Sequence, residues 1–371
     1  MANLSEESAL SANASTKSGW TSAKRVLTAC EFCQPDRIPR FDNFWEFPRS
    51  WQRRLGPEES LSDIAIWVPD ETPFPSRARS LEEQDGWLYE IDGWGRTIRR
   101  KRDAYFSEIL EVAFASTKQI EDAEFDPPGE QSRYLQGCST EEAIQRKLKQ
   151  AKQNFCVFGK TGGPYLRSSF MRGSEQFLMD IAGDPLLAKT IADRVADHLI
   201  EIGIEELHRW ELQHTGIWIY DDMACNDGPM FSPKAFEMVF LPAYQRMITA
   251  FKSAGAKYVF LHSDGDIRPI LEMMVDAGID GLNPIERRAN MNIVQLKKQY
   301  PELILTGGMC NTITLVQGPL AKIEAEAREI IDLGRTGGVV IGTHSISPEI
   351  PLNHYIAYHQ TCLTFGNFGI I

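Results

Sequence analysis

Between Gly216 and His344, five short and mostly apolar runs, GIWIY, KYVFLHS, IDGL, ELILTGG and GGVVIGTH, are separated by segments with helical periodicity. Runs that are apolar at consecutive positions, not at every second one, fit strands covered on both faces. A helix between successive strands forces them to be parallel, because a tight turn cannot carry the chain back to the start of a parallel neighbour. The punctuation agrees. Ser232-Pro233 makes an N-cap and first turn, Gly255, Gly278 and Gly334 close helices, and Pro301 stops another. Pro242, inside the helical stretch after Pro233, predicts a kink or a break. The first half of the chain is weaker in signal. FCVFGK and RIPRFDNF read as strands and EIDGWGRTIRRKR as a hairpin or irregular excursion.

A doubly wound sheet and a (β/α)₈ barrel share this alternation. The residues just past each strand favour the barrel. Asp221-Asp222 comes after GIWIY, His262-Ser263-Asp264-Gly265-Asp266 after KYVFL, and Asn283-Pro284-Ile285-Glu286 after GIDGL. Gly307-Gly308-Met309-Cys310-Asn311 comes after ELILT, and His344 after GGVVIGT. Ligands bind at the carboxyl ends of strands in parallel α/β folds, so five polar ends in succession describe one rim. The expected architecture is α/β: a single distorted (β/α)₈ TIM-type barrel over residues 21–371, preceded by a short, disordered, flexible tail over residues 1–20.

Composition narrows the function. With 39 basic against 51 acidic residues the net charge is -12, and without a Lys/Arg block there is no stripe for nucleic acid. No apolar run approaches a membrane span of about 20 residues. Seven scattered cysteines do not make a disulfide framework and read as reduced thiols in a cytoplasm. Cys30-Glu31-Phe32-Cys33 lacks a second ligand pair for zinc. Phe158-Gly159-Lys160-Thr161 is not a phosphate loop, because Asn154 stands where that motif needs its first glycine.

The rim residues carry the candidate chemistry. His262 and Asp264 lie two apart after a strand, so both can face the barrel axis, where imidazole and carboxylate either ligate a metal or act as a base with its orienting partner. His344, on the last strand end, can reach the same point. Of the adjacent pair Asp221 and Asp222, only one faces the axis in extended chain. Glu286 is a plausible second carboxylate. Cys310 comes after two glycines that let backbone approach a ligand.

The segments YDDMACNDGPMFSPKAFEMVFLPAYQRM, GAKYVFLHSDGDIRPILEMMVDAGIDGLNPIE, LKKQYPELILTGGM and HSISPEIPLNHY, with PDRIP and DGWGRTIRR upstream, resemble the uroporphyrinogen decarboxylase superfamily. The resemblance implies a barrel with one deep cleft. It also implies one of two chemistries, cofactor-free decarboxylation of porphyrinogen acetates or zinc-dependent methyl transfer involving a corrinoid protein. The decarboxylases carry an Arg-Gln-Ala-Gly-Arg stretch after the first strand, where this chain has RFDNFWEFPRSW. The methyltransferase branch is the nearer match. Its His-x-Cys zinc pattern with a distant third ligand falls on His262, Asp264 and His344, with Asp and His in place of both thiolates. The expectation is then a methyltransferase that moves a methyl group from a small methylated substrate, such as a methoxylated aromatic, to a corrinoid carried by a partner protein. Zinc on His262, Asp264 and His344 would assist it, with Asp222, His262, Glu286 and His344 as catalytic groups. Trp45, Glu46, Phe47, Trp94, Asn283 and Cys310 would contact substrate. The alternative is a metal-free decarboxylase-like lyase using Asp222 and His344, and a third reading is a barrel kept as a binding protein.

Overall fold

The computed structural model describes residues 19–44, 47–102 and 106–369. The N-terminal tail lies, up to residue 18, outside the described residues, as do Trp45 and Glu46. Thirteen strands are described. They are β1 (Ile64–Trp67), β2 (Arg79–Gln84), β3 (Trp87–Ile91), β4 (Thr97–Lys101), β5 (Glu108–Glu111), β6 (Cys156–Gly162) and β7 (Gly216–Tyr220). After them come β8 (Ala224–Cys225), β9 (Gly228–Pro229), β10 (Tyr258–His262), β11 (Gly281–Asn283), β12 (Ile304–Gly308) and β13 (Val339–Gly342). Seven form one sheet in the order β1-β6-β7-β10-β11-β12-β13, all neighbours parallel. The sheet curls into a distorted TIM barrel, as the alternation predicts.

The eighth stave is irregular. RIPRFDNF forms no regular strand, yet it bridges Arg40 to Ile341 and Phe44 to Ile346 in parallel sense. Phe41 N–H donates to Ile341 O and Ile341 N–H to Pro39 O, while Asp63 N–H donates to Arg40 O on the other side. The segment thus spans the gap between β13 and β1. Its closure is pinned by Asp63. The carboxylate accepts Arg25 Nη1 at 2.9 Å, both Arg37 terminal nitrogens at 2.8 Å and the Arg40 backbone N–H at 2.9 Å. Burial alone would raise this carboxyl, but the guanidinium groups of Arg37, Arg25 and Arg40 hold it down at about 2.

The EIDGWGRTIRRKR stretch is the β3–β4 hairpin of a four-stranded antiparallel sheet, β2-β3-β4-β5, inserted between the first two barrel strands. Pro242 breaks the predicted helix into Pro233–Val239 and Leu241–Ser253, and it stands in the first turn of the second piece, where its missing N–H costs nothing. Inside the barrel, Phe158, Trp218 and Phe260 form an aromatic plug, with the Trp218 and Phe260 rings stacked at 4.8 Å. Among the described residues no helix is long and apolar enough to cross a membrane, and all seven cysteines are free.

Asp63→Asn should lower stability by about 3–5 kcal/mol, because it leaves buried guanidinium charge uncompensated. The folded pKa is depressed, so this contribution is fully present above the ordinary carboxyl range and is lost as pH falls from about 4 towards about 2. Urea unfolding should therefore show a gap between variant and parent at pH 7 that narrows through that acid window.

Candidate active site

Three neighbouring strands set the floor of the cleft. Tyr220 ends β7 and His262 ends β10, paired in register, and their rings stack at 4.0 Å with a 9° interplanar angle. The next rung pairs His262 with Asn283 at the end of β11. Beyond His262 the chain turns sharply at Gly265, whose φ is +85°, and a Cβ there would lie 2.6 Å from backbone atoms of Ala224 and Cys225. Only glycine fits. The turn brings Asp264 back over the strand ends, where its N–H donates to Asp222 Oδ1 and the Gly265 N–H donates to Glu286 Oε2.

The result is one cluster. His262 Nε2 lies 3.6 Å from Asp264 Oδ1 and 3.9 Å from Asp222 Oδ1. His344 Nε2 lies 3.4 Å from both Asp264 Oδ1 and Glu286 Oε1. Asp222, His262 and Asp264 form one compact triad of potential ligands, and Asp264, Glu286 and His344 another, so Asp264 belongs to both. Asp221 is elsewhere. It is fully buried and accepts the Tyr165 and Leu166 N–H groups, capping the first turn of the helix Pro164–Arg172, with Tyr244 Oη as a third donor. That settles which of the adjacent aspartates faces the axis: Asp222.

Hydrogen bonding fixes the His262 tautomer. Asn283 Nδ2 donates to Thr306 O at 3.1 Å, which leaves Asn283 Oδ1 as the acceptor 2.6 Å from His262 Nδ1. Nδ1 therefore carries the hydrogen, and Nε2 presents a lone pair to the carboxylates. Burial, only partly countered by Asp222, keeps His262 neutral with a pKa down at about 4. His344 is lowered by burial too. Asp264 is pushed up to about 7 by burial and then by its neighbours Asp222 and Glu286. Its Oδ1 is buried and has no hydrogen-bond donor. The Nε2 lone pair of His262 and the His344 imidazole thus converge on an orphaned carboxylate oxygen. A cation satisfies all three, and the imidazole–carboxylate donors suit zinc.

The remaining expected contacts divide. Asn283 is in the cluster, orienting His262. Cys310 lines a small recess beside it with Glu286, Arg288 and His344, but its Sγ accepts the Ile313 N–H in its own loop. Trp94 packs edge-on against Phe170 with the Arg167 guanidinium 5.5 Å from its ring, on the helix after β6. Phe47 packs against Phe44, next to Trp51 and Tyr355. Two site residues escape the motif reading, Tyr220 and Lys160. The Lys160 ammonium lies over the Tyr220 ring, 4.7 Å from its centroid. A lysine inside the otherwise apolar run CVFGKTG is the available signal.

Fold and site together define a (β/α)₈ barrel with an imidazole–carboxylate cluster at the carboxyl ends of its strands. The family model for uroporphyrinogen decarboxylase (URO-D) matches residues 93–364, and the chain belongs to that family. No curated protein matches it. Among solved structures it is similar to a methyltransferase from Methanosarcina mazei, at 18% identity and a TM-score of 0.65, over 93% of this chain and 99% of that one.

Gly265→Ala should cost at least ~1 kcal/mol, since a side chain there is strained by both φ and contact. Gly129→Ala, where a Cβ meets nothing within 4 Å, is the control and should leave the melting temperature nearly unchanged.

Proposed function

We propose that this protein is a zinc-assisted methyltransferase component that takes a methyl group from a small methylated compound, such as a methoxylated aromatic, and passes it to a corrinoid carried by a partner protein. The observation that carries the metal is the unpartnered Asp264 Oδ1 between the imidazole Nε2 atoms of His262 and His344. Family membership and the likeness to a methyltransferase support the reaction class.

Asp264, His262 and His344 would hold the ion, with Glu286 in reach as a further ligand. Bound there, zinc supplies a Lewis acid for the oxygen that loses its methyl group. The protein's own groups do the rest. Asn283 holds His262 in the tautomer that offers Nε2. The Gly265 N–H holds Glu286 in place. Asp222, half-exposed at the mouth beside His262, is placed to relay a proton from solvent to the oxygen as the methyl group leaves. The Phe158–Trp218–Phe260 plug seals the cluster from below, so polar interactions inside it act in a poorly screened medium.

Metal analysis of the purified protein should find close to one equivalent of zinc. Asp264→Asn should lose most of it with little loss of stability, and Asn283→Ala should weaken zinc binding by about 10–100-fold through His262 alone. Protein that binds no zinc on reconstitution, together with an undiminished Asp264→Asn variant, would leave the metal-free carboxy-lyase using Asp222 and His344.

A further inference from the structure

Lys160 is a cation next to the cluster that the zinc reading does not use. It sits on β6, on the side of Tyr220 away from His262, and its side chain crosses the face of that ring. Burial lowers its pKa, the sign of an ammonium removed from much of its water. Among the described residues no carboxylate forms an ion pair with Nζ, and the nearby acids are committed elsewhere. Glu71 is bound to the Arg167 guanidinium and to the Gly162 N–H. Glu206 takes the Lys160 backbone N–H, and burial holds its carboxyl well above the ordinary range. Asp222 accepts the Asp264 N–H and faces His262. Tyr220 lies between Lys160 and the cluster, its ring shared by the ammonium on one side and the imidazole on the other.

We propose that Lys160 anchors an anionic group of the substrate, a carboxylate, while the opposite end of the molecule meets the imidazole–carboxylate cluster. The proposal rests on reading the cluster as the place where the methyl group departs, and it narrows the substrate to small methylated acids. An ammonium poor in water gains from a charge-assisted hydrogen bond, and a neutral analogue gains nothing comparable.

The test compares equilibrium binding of 4-methoxybenzoate with that of its neutral counterpart 4-methoxybenzyl alcohol. Calorimetry is run on the protein as purified and again after dialysis against a chelator. The parent should bind the acid at least ~10-fold more tightly than the alcohol. Lys160→Met and Lys160→Gln should erase that preference, and Lys160→Arg should retain it, with melting temperatures confirming that each variant is folded. A parent with no preference for the acid overturns the proposal, and so does a preference that survives in folded Lys160→Met or Lys160→Gln. Failure of the methyl-transfer reading shows separately, as absence of zinc and of demethylation while the Lys160-dependent preference persists in the chelated protein.

Discussion

Asp63 is the residue on which the closed barrel depends. Seven parallel strands leave a gap between β13 and β1, and the segment that fills it is held by single bridges instead of a continuous ladder. Asp63 joins the three parts that meet there. Its N–H bonds the segment at Arg40, its carbonyl accepts Cys156 N–H at the start of β6, and its carboxylate gathers Arg25, Arg37 and the Arg40 N–H. An ion network of this kind is costly to desolvate and adds little net stability. Its value lies in geometry, since removing any member leaves charge stranded in the interior. His344 lies just past β13, next to Thr343, whose carbonyl accepts the Asn43 N–H of that segment.

At the opposite end of the strands the electrostatics run the other way. Asp63 is surrounded by cations and lies at about 2, whereas Asp264 is pushed up to about 7 by burial and by the acids Asp222 and Glu286, which outweigh the opposing charge of Arg288. Asp63 is the more deeply buried of the two and yet has the lower pKa, so burial does not explain the difference. The sign of the surrounding charge does. One end of the barrel has its cations built in as arginines. The other has acceptors converging on a point with no donor, and that asymmetry distinguishes a binding site from a structural one.

The barrel's second half is legible in the sequence because strands covered on both faces are apolar throughout and their ends are not. The same contrast finds Asp222, His262, Glu286 and His344, all at strand ends. It is blind in three places for physical reasons. The eighth stave alternates poorly because it is held by bridges at Arg40 and Phe44 and not by a ladder. Asn283 reads from its position as a substrate contact, but its role is set by a cross-strand bond to His262, and sequence spacing carries no information on which strands are neighbours. Lys160 is met in the sequence first as a phosphate-loop lysine, and rejecting that motif passes over the second signal, a charged residue inside an apolar run.

Strand periodicity accounts for how these pieces share one axis. Lys160, Tyr220 and His262 each stand two residues beyond a member of the aromatic plug, Phe158, Trp218 and Phe260, so they point to the same interior one step nearer the mouth. The stacking is repeated as well. Trp218 lies on Phe260 at 4.8 Å, and one layer up Tyr220 lies on His262 at 4.0 Å. The plug is thus more than filling. By excluding water beneath the polar layer it adds to the desolvation that keeps His262 neutral, raises Asp264 and lowers Lys160. A hydrophobic core and a chemically unsatisfied site are, in these three strands, consecutive turns of the same pleat.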